Sequence, residues 1–294
     1  MSRSRDIADS TKTLDVDGGT IKLDGNYPVG TKNVALGDTA LDAVQSGAEN
    51  NVAVGASALS SVTTGNDNTA VGNFSLASTT GSQNTGVGQQ ALRFNTSGQY
   101  NTAQGYRALF SNTSSSDNTA VGYQSLYSMS STGDANKSTA VGYQAGYTST
   151  HNVDAFGAQA LYNNTTGILS VAMGREALYS NTTGSYNIAI GYQAGFFITT
   201  GSKNSILGRY NGNQGGLDIR TSSNNIVLSD GDGNPRYVIR DDDHLWGITK
   251  TNPGGSFRTS DGFRFLNASS SLNYLEHVRT TTSDSSANFY MGNR

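Results

Sequence analysis

Read for apolar and polar positions, residues 33–212 repeat one short pattern. Four residues lead into a glycine, two variable positions follow, and then come a small residue and most often Leu. NVALGDTAL (33–41), NTAVGNFSL (68–76), NTAVGYQSL (118–126) and NIAIGYQAG (187–195) show it, and NSILGRYNG (204–212) is a decayed copy. The repeat glycines are Gly37, Gly55, Gly72, Gly88, Gly105, Gly122, Gly142, Gly157, Gly174, Gly191 and Gly208. Six of their ten gaps are 17 residues and the others run from 15 to 20, a periodicity that marks a solenoid or another stacked array.

Each copy has a physical reading. The residue before the glycine is apolar in ten of eleven copies, Gln104 being the exception, and the one before that is Ala in nine. Neighbours along a strand point to opposite faces, so neither face reads as facing water and a strand buried on both sides is expected. The glycine supplies a bend or a positive φ. Asn stands at the lead position in eight copies, where it can bond its own backbone or stack on the Asn of the next coil. Polar stretches such as RFNTSGQY (93–100) and YSNTTGSY (179–186) connect the copies. The spacing predicts an all-β chain of about eleven parallel coils, each with two short strands and two turns, stacked about 4.8 Å apart.

Composition narrows the function classes. The chain of 294 residues has 36 Gly, three Pro, no Cys and a net charge of -3. Charged residues make up 14%, against about 25% in ordinary proteins. Without Cys there is no disulfide framework, no Cys-ligated zinc and no thiol chemistry. No clustered Lys and Arg suggest a nucleic-acid partner, and no run reaches the roughly 20 apolar residues of a membrane span. The opening MSRSRDIADSTK has no apolar core, so no secretory signal is expected. With 15 Tyr, 10 Phe and frequent β-branched residues, the composition is not that of a disordered chain.

A coil this thin has little interior. Three or four apolar side chains at about 1.5–3 kcal/mol each fall short of the about 1–2 kcal/mol per residue that ordering a coil costs. The expected remedy is burial of the second strand face against other copies, and a closed three-fold bundle gives each chain two neighbours.

Three regions result: 1–32, with charges of both signs and LDVDGGTIKLDG (14–25) as a strand pair; the repeats, 33–212; and 213–294, where the register is lost. In the last, IVLSD (226–230), RYVIR (236–240), FRTSDGFRFL (257–266) and ANFYM (287–291) read as strands. SLNYLEHVRT (271–280) reads as a strand or a short helix, and the whole region as a β-rich tip or shaft end with Asp-Gly hairpin turns.

Candidate chemistry is sparse. Tyr106, Tyr123, Tyr143 and Tyr192 follow repeat glycines and suit either a glycan-stacking stripe or a packing ladder, the latter preferred. Asp241-Asp242-Asp243-His244 offers oxygen ligands to a divalent cation, although consecutive aspartates alternate faces and favour a solvated turn. Residues 229–234 (SDGDGN) are like a calcium loop but place Arg240 where the closing Glu belongs, so a turn is expected. Asn95, Asn112, Asn163, Asn164, Asn181 and Asn267 begin glycosylation-type triplets that read as turn composition. The acids Asp241, Asp243, Asp261 and Glu276 show no spacing that selects a glycosidase pair. No enzyme activity, cofactor or metal site is expected.

The NTAVGYQAL consensus resembles the head repeats of trimeric autotransporter adhesins (Asn-Ser-Val-Ala-Ile-Gly) and is similar to longer, Tyr-bearing repeats in bacteriophage tail fibres. The resemblance covers about residues 33–212. It implies a homotrimer of left-handed parallel β-rolls. SRSRDIADS (2–10) resembles segments that dock tail fibres onto the virion, with Arg3, Arg5 and Asp6 as candidate attachment residues. NNIVLSDGDGNPRYVIRDDD (224–243) looks like a passage that follows such repeats in phage fibres, which often end in a self-cleaving chaperone domain; a mature product, a truncation and a fibre that folds without that domain are the alternatives for this sequence. The resemblance therefore implies a virion-located tail fibre, held by a tail or capsid protein through its N-terminus and meeting a host-surface glycan or protein at its distal end. A capsid-attached head fibre and a bacterial adhesin fragment are the alternatives.

Overall fold

Short β-branched segments punctuated by glycine cannot build long strands, and the chain makes a rung of three or four residues from each copy. In the computed structural model, which describes residues 32–129 and 136–240 and the backbone of 273–277 and 289–293, eleven such strands follow one another. They are β1 (Val34–Leu36), β2 (Val52–Val54), β3 (Thr69–Val71), β4 (Thr85–Val87), β5 (Thr102–Gln104), β6 (Thr119–Val121), β7 (Thr139–Val141), β8 (Val153–Phe156), β9 (Ser170–Met173), β10 (Ile188–Ile190) and β11 (Ser205–Leu207). Each pairs in parallel with the next in a register that sets Ala on Ala, as in Ala103↔Ala120 and Ala120↔Ala140. The result is an all-β solenoid of about eleven turns, with no helix among the described residues.

The glycine corner shows why the repeat is strict. The repeat glycines have φ between +107° and +138°, a region closed to most side chains. They also stack backbone on backbone. A Cβ on Gly105 would lie 2.4 Å from the Gly122 carbonyl oxygen, and one on Gly122 the same distance from that of Gly142. A second glycine column, Gly65, Gly81 and Gly98 and again Gly167, Gly184 and Gly201, is packed as tightly: a Cβ on Gly65 would meet the Gly81 oxygen at 2.3 Å.

Among the described residues the expected second strand of each coil is absent. Two linked turns replace it, as in Ala58 N donating to Gly55 O (3.2 Å) and Val62 N to Leu59 O (3.2 Å). Non-glycine residues two and four past the glycine hold positive φ, such as Gln124 (54°) and Leu126 (48°). Such conformations interrupt extended backbone and cost about 1–2 kcal/mol each. Bonds between coils continue through the turns and offset that cost: Gln124 N donates to Tyr106 O (2.8 Å) and Leu126 N to Ala145 O (2.9 Å).

The interior is a set of columns. Ala before the glycine, the small residue and the Leu after it are buried in coil after coil. So is the lead Asn, whose column runs through Asn51, Asn68, Asn84, Asn101 and Asn118. Asn68 Oδ1 accepts from the backbone N–H and the side-chain amide of Asn84 (3.0 and 3.2 Å), while Asn68 Nδ2 donates to Gly81 O (2.9 Å). A last interior column lies seven past the glycine: Val44, Val62, Thr79, Asn95, Asn112, Met129, Ser149, Asn164, Asn181 and Ile198.

The sheet outruns the repeats. β14 (Ile226–Ser229) adds a twelfth parallel rung on β11, and β15 (Pro235–Ile239) folds back antiparallel on it across the 230–234 turn. Between them β12 (Asn213–Gln214) and β13 (Leu217–Asp218) form a small hairpin. Tyr210, fully buried, fills the end of the core, and its hydroxyl donates to Leu217 O (2.8 Å). Residues from 213 to 240 thus continue the shaft, as the shaft-end reading of this region expects. In a second compact unit, Lys250–Arg294, β16 (Asn273–His277) pairs antiparallel with β17 (Phe289–Asn293), so the 271–280 segment contributes a strand. The strand pair at 14–25 and the segment 257–266 lie outside the described residues.

Candidate interaction surface

The strands alternate inward Ala with two outward positions, one and three before the glycine. One before the glycine, apolar groups follow one another up the sheet, interrupted by Gln104, and Val71, Val141, Ile190 and Leu207 are exposed, Leu207 at 53%. Three before the glycine the face is mixed: Val34 and Ile188 are exposed apolar groups near its ends, and Thr69, Thr85, Thr102, Thr119, Thr139 and Asp154 make its middle polar. The expectation of two dry faces holds for the inner face; in the single chain the outer face is open.

Round the glycine corner lies a second surface of three parallel tracks. The residue after the glycine gives a tyrosine column, Tyr106–Tyr123–Tyr143, with ring centroids 5.2 and 5.3 Å apart and planes within 20°. Five past the glycine a longer column, Phe110–Tyr127–Tyr147–Tyr162–Tyr179–Phe196, stacks at 5.0–5.2 Å. Between them run the side chains two past the glycine. Arg107 lies 4.9 Å from the Tyr106 ring centre and 5.1 Å from that of Phe110. Gln144 Nε2 donates to Gln124 Oε1 (2.9 Å), Gln159 Nε2 to Gln144 Oε1 (3.4 Å) and Gln193 Nε2 to Glu176 Oε2 (2.8 Å).

Electrostatics follow the columns. Burial, and then the neighbouring tyrosines, push the Tyr147 and Tyr162 hydroxyls above their ordinary range. The hydrogen bond from Gln193, with Arg175 adding to it, holds the Glu176 carboxyl below the usual carboxylate range against a smaller desolvation effect.

The candidate tyrosines separate. Tyr106, Tyr123 and Tyr143 share a column and spend most of their ring faces on one another, a packing ladder. Tyr192 stands apart, with Arg175 at 6.0 Å and Arg209 at 5.3 Å from its ring centre. The 229–234 segment is a turn. Desolvation raises the Asp230 carboxyl, but the Asn234 backbone N–H and the Arg236 ion pair outweigh it and bring it to about 2. Asn95, Asn112, Asn164 and Asn181 are turn residues, each donating through Nδ2 to the carbonyl three residues on (2.9–3.0 Å), and they are also fully buried and form part of the interior column. The eleven repeat glycines are all corner residues. Arg3, Arg5, Asp6, Asp241, Asp242, Asp243, His244, Asp261 and Asn267 lie outside the described residues, as does the side chain of Glu276 on β16.

Among the described residues no three His, Asp or Glu side chains come together to hold a metal ion. The five-past-glycine aromatic column and the second glycine column escape the sequence reading, although both repeat with the coil period. Compared with known proteins, the chain matches no family model, no curated protein and no solved structure.

Proposed function

We propose that the chain is a structural fibre protein of a bacteriophage particle, a homotrimer whose shaft is the solenoid. One observation carries this reading: the apolar track along the outer strand face. Exposed apolar groups set in a row mark contacts with partners, and a row repeated at every rung but that of Gln104 suits another copy of the same ladder. The repeat's resemblance to tail-fibre and adhesin-head repeats supports the assignment to a fibre.

In this reading residues 1–32, with Arg3, Arg5 and Asp6, grip a tail or capsid protein, and the C-terminal side meets a host-surface glycan or protein. Binding is non-covalent, and three identical distal ends raise avidity through effective concentration. The test is co-sedimentation of the tagged full-length chain with isolated phage tails and, separately, with capsids. Tail binding that weakens in an Arg3→Ala, Arg5→Ala double variant is the expected result. Binding to capsids alone makes the protein a head fibre, and binding to neither overturns the virion reading.

A further inference from the structure

We propose that the tyrosine-bearing surface holds a binding site for one pyranose ring of a neutral glycan, at the rung of Ala158. The site lies round the glycine corner from the strand face assigned above to contact between copies, and it stands whether or not the chain belongs to a virion.

The argument starts from a break in a column. Backbone bonds fix the order of the positions after the glycine: Gln159 N donates to Tyr143 O, Glu176 N to Ala158 O and Gln193 N to Arg175 O. Above Tyr143 the first position therefore reads Ala158, Arg175, Tyr192. Tyr143 stacks on Tyr123 through one face, with planes 11° apart. Its other face looks along the column onto a methyl group. Tyr143 is 51% exposed, more than Tyr123 at 44%. The next large group, the Arg175 guanidinium, leans the other way, paired with Glu176 (3.0 Å) and 6.0 Å from the Tyr192 ring centre. The adjoining column has no such break, since Tyr147, Tyr162 and Tyr179 follow at 5.1 and 5.2 Å. What remains is a notch one rung high, with Ala158 as floor and Tyr143 as one wall. A flat ring placed there takes the 5.3 Å spacing that separates Tyr123 from Tyr143.

The rim selects the kind of ring. Gln159 stands at the Ala158 rung where Arg107 stands beside Tyr106, between the two aromatic tracks. Its Nε2 spends one hydrogen on Gln144 Oε1, and an amide has a second hydrogen and an acceptor oxygen besides. Arg175 uses Nε and Nη2 on Glu176 Oε1, and a guanidinium carries further donors. An aromatic side chain would sit against Tyr143 and leave these groups unpaired. A pyranose offers a C–H face to the ring and hydroxyls that donate and accept at its edge. The Arg175–Glu176 pair cancels its own charge, which favours a neutral sugar.

The test is saturation-transfer NMR on the full-length protein with methyl β-D-glucopyranoside, methyl β-D-galactopyranoside and, as an aromatic probe, p-cresol. Saturation of the tyrosine rings should reach at least one pyranoside. Ala158→Tyr, which fills the notch with the ring the column lacks, should abolish that transfer while the unfolding midpoint holds. Tyr143→Ala, at an exposed column end, should weaken binding about tenfold, the effect of one lost stacking wall. Transfer to neither pyranoside, or transfer unchanged in both variants, overturns the proposal. Binding of p-cresol alone also overturns it and makes the notch a socket for a protein's aromatic side chain.

Discussion

Asn112 Nδ2 donates to Asn95 Oδ1 at 2.8 Å, and the Oδ1 of Asn112 itself, fully buried, receives no hydrogen bond. The cause lies one coil further on, where the column places Met129, which has no hydrogen to give. The arrangement recurs at Asn181, which donates to Asn164 Oδ1 (2.8 Å) and meets Ile198. Each polar run starts on a hydroxyl, Thr79 or Ser149, that accepts the first amide. The columns are directional, and their apolar ends leave an acceptor bare.

That polarity makes Met129 an unusual core position. Met129→Asn places a donor over Asn112 Oδ1 and moves the bare acceptor one coil on, to face the Ser149 hydroxyl, whose hydrogen goes to His151 O (3.1 Å). The expected loss of stability is under about 2 kcal/mol, since the new bond offsets the lost apolar burial. Leu126→Asn, in the same coil and equally buried, has no such column and should cost at least about 3 kcal/mol. Urea unfolding of the two variants gives the comparison.

The lead asparagines bridge three coils, and their oxygen matters more than their amide. Asn68→Ala strips an acceptor from the buried Asn84 N–H and a donor from Gly81 O, for an expected cost of about 2–4 kcal/mol. Asn68→Ser should cost less than half as much. Ser138 and Ser170 hold the same column position and accept from Val153 N (3.2 Å) and Asn187 N (3.1 Å) through Oγ. Thermal unfolding with equal costs for both variants would contradict this role.

Corner glycines combine a φ requirement with close contact, and the two effects separate by position. Gly47 has φ +104° with nothing within 4 Å of a built Cβ, so Gly47→Ala should cost about 1 kcal/mol of backbone strain. Gly105→Ala adds the collision with Gly122 and should cost more than about 3 kcal/mol. A calorimetric melt of each variant measures the difference.

Alkali should loosen the protein in a defined window. Burial raises Tyr147, Tyr162 and Tyr210 above the tyrosine value of 10.0. Below about pH 10 these hydroxyls are neutral in the folded and the unfolded chain, and the stability tied to them is fully present. As pH rises further the unfolded chain ionises first and binds fewer protons, so stability falls through the raised folded values. Urea midpoints followed beside phenolate absorbance should hold steady up to that pH and then drop.

The coil period, the strand rungs and the corner glycines are legible in the sequence because a positive φ and a backbone contact both demand Gly. The missing second strand is not legible: its positive φ values fall on residues such as Gln124 and Leu126, where bonds from both neighbouring coils impose them. The twelfth rung escapes because Asn225-Ile226-Val227-Leu228 comes 21 residues after its neighbour's lead Asn and Ser229 replaces the glycine; the bonds from Asn225 N (3.0 Å) and Nδ2 (2.7 Å) to Asn204 Oδ1 mark the column's continuation. Asn95 reads as a turn residue, and it does donate to Gly98 O (3.0 Å); its burial in a column escapes because its other acceptor, Thr79, sits a coil away in sequence. The notch at Ala158 depends on which residues stack next to one another, which spacing alone does not display.

The central claim is that this solenoid closes its open strand face with further copies of itself. Sedimentation equilibrium of the full-length chain in native buffer tests it most directly. The account predicts a single species of three times the 30.8 kDa chain mass; a folded species at 30.8 kDa, unchanged on concentration, would contradict it.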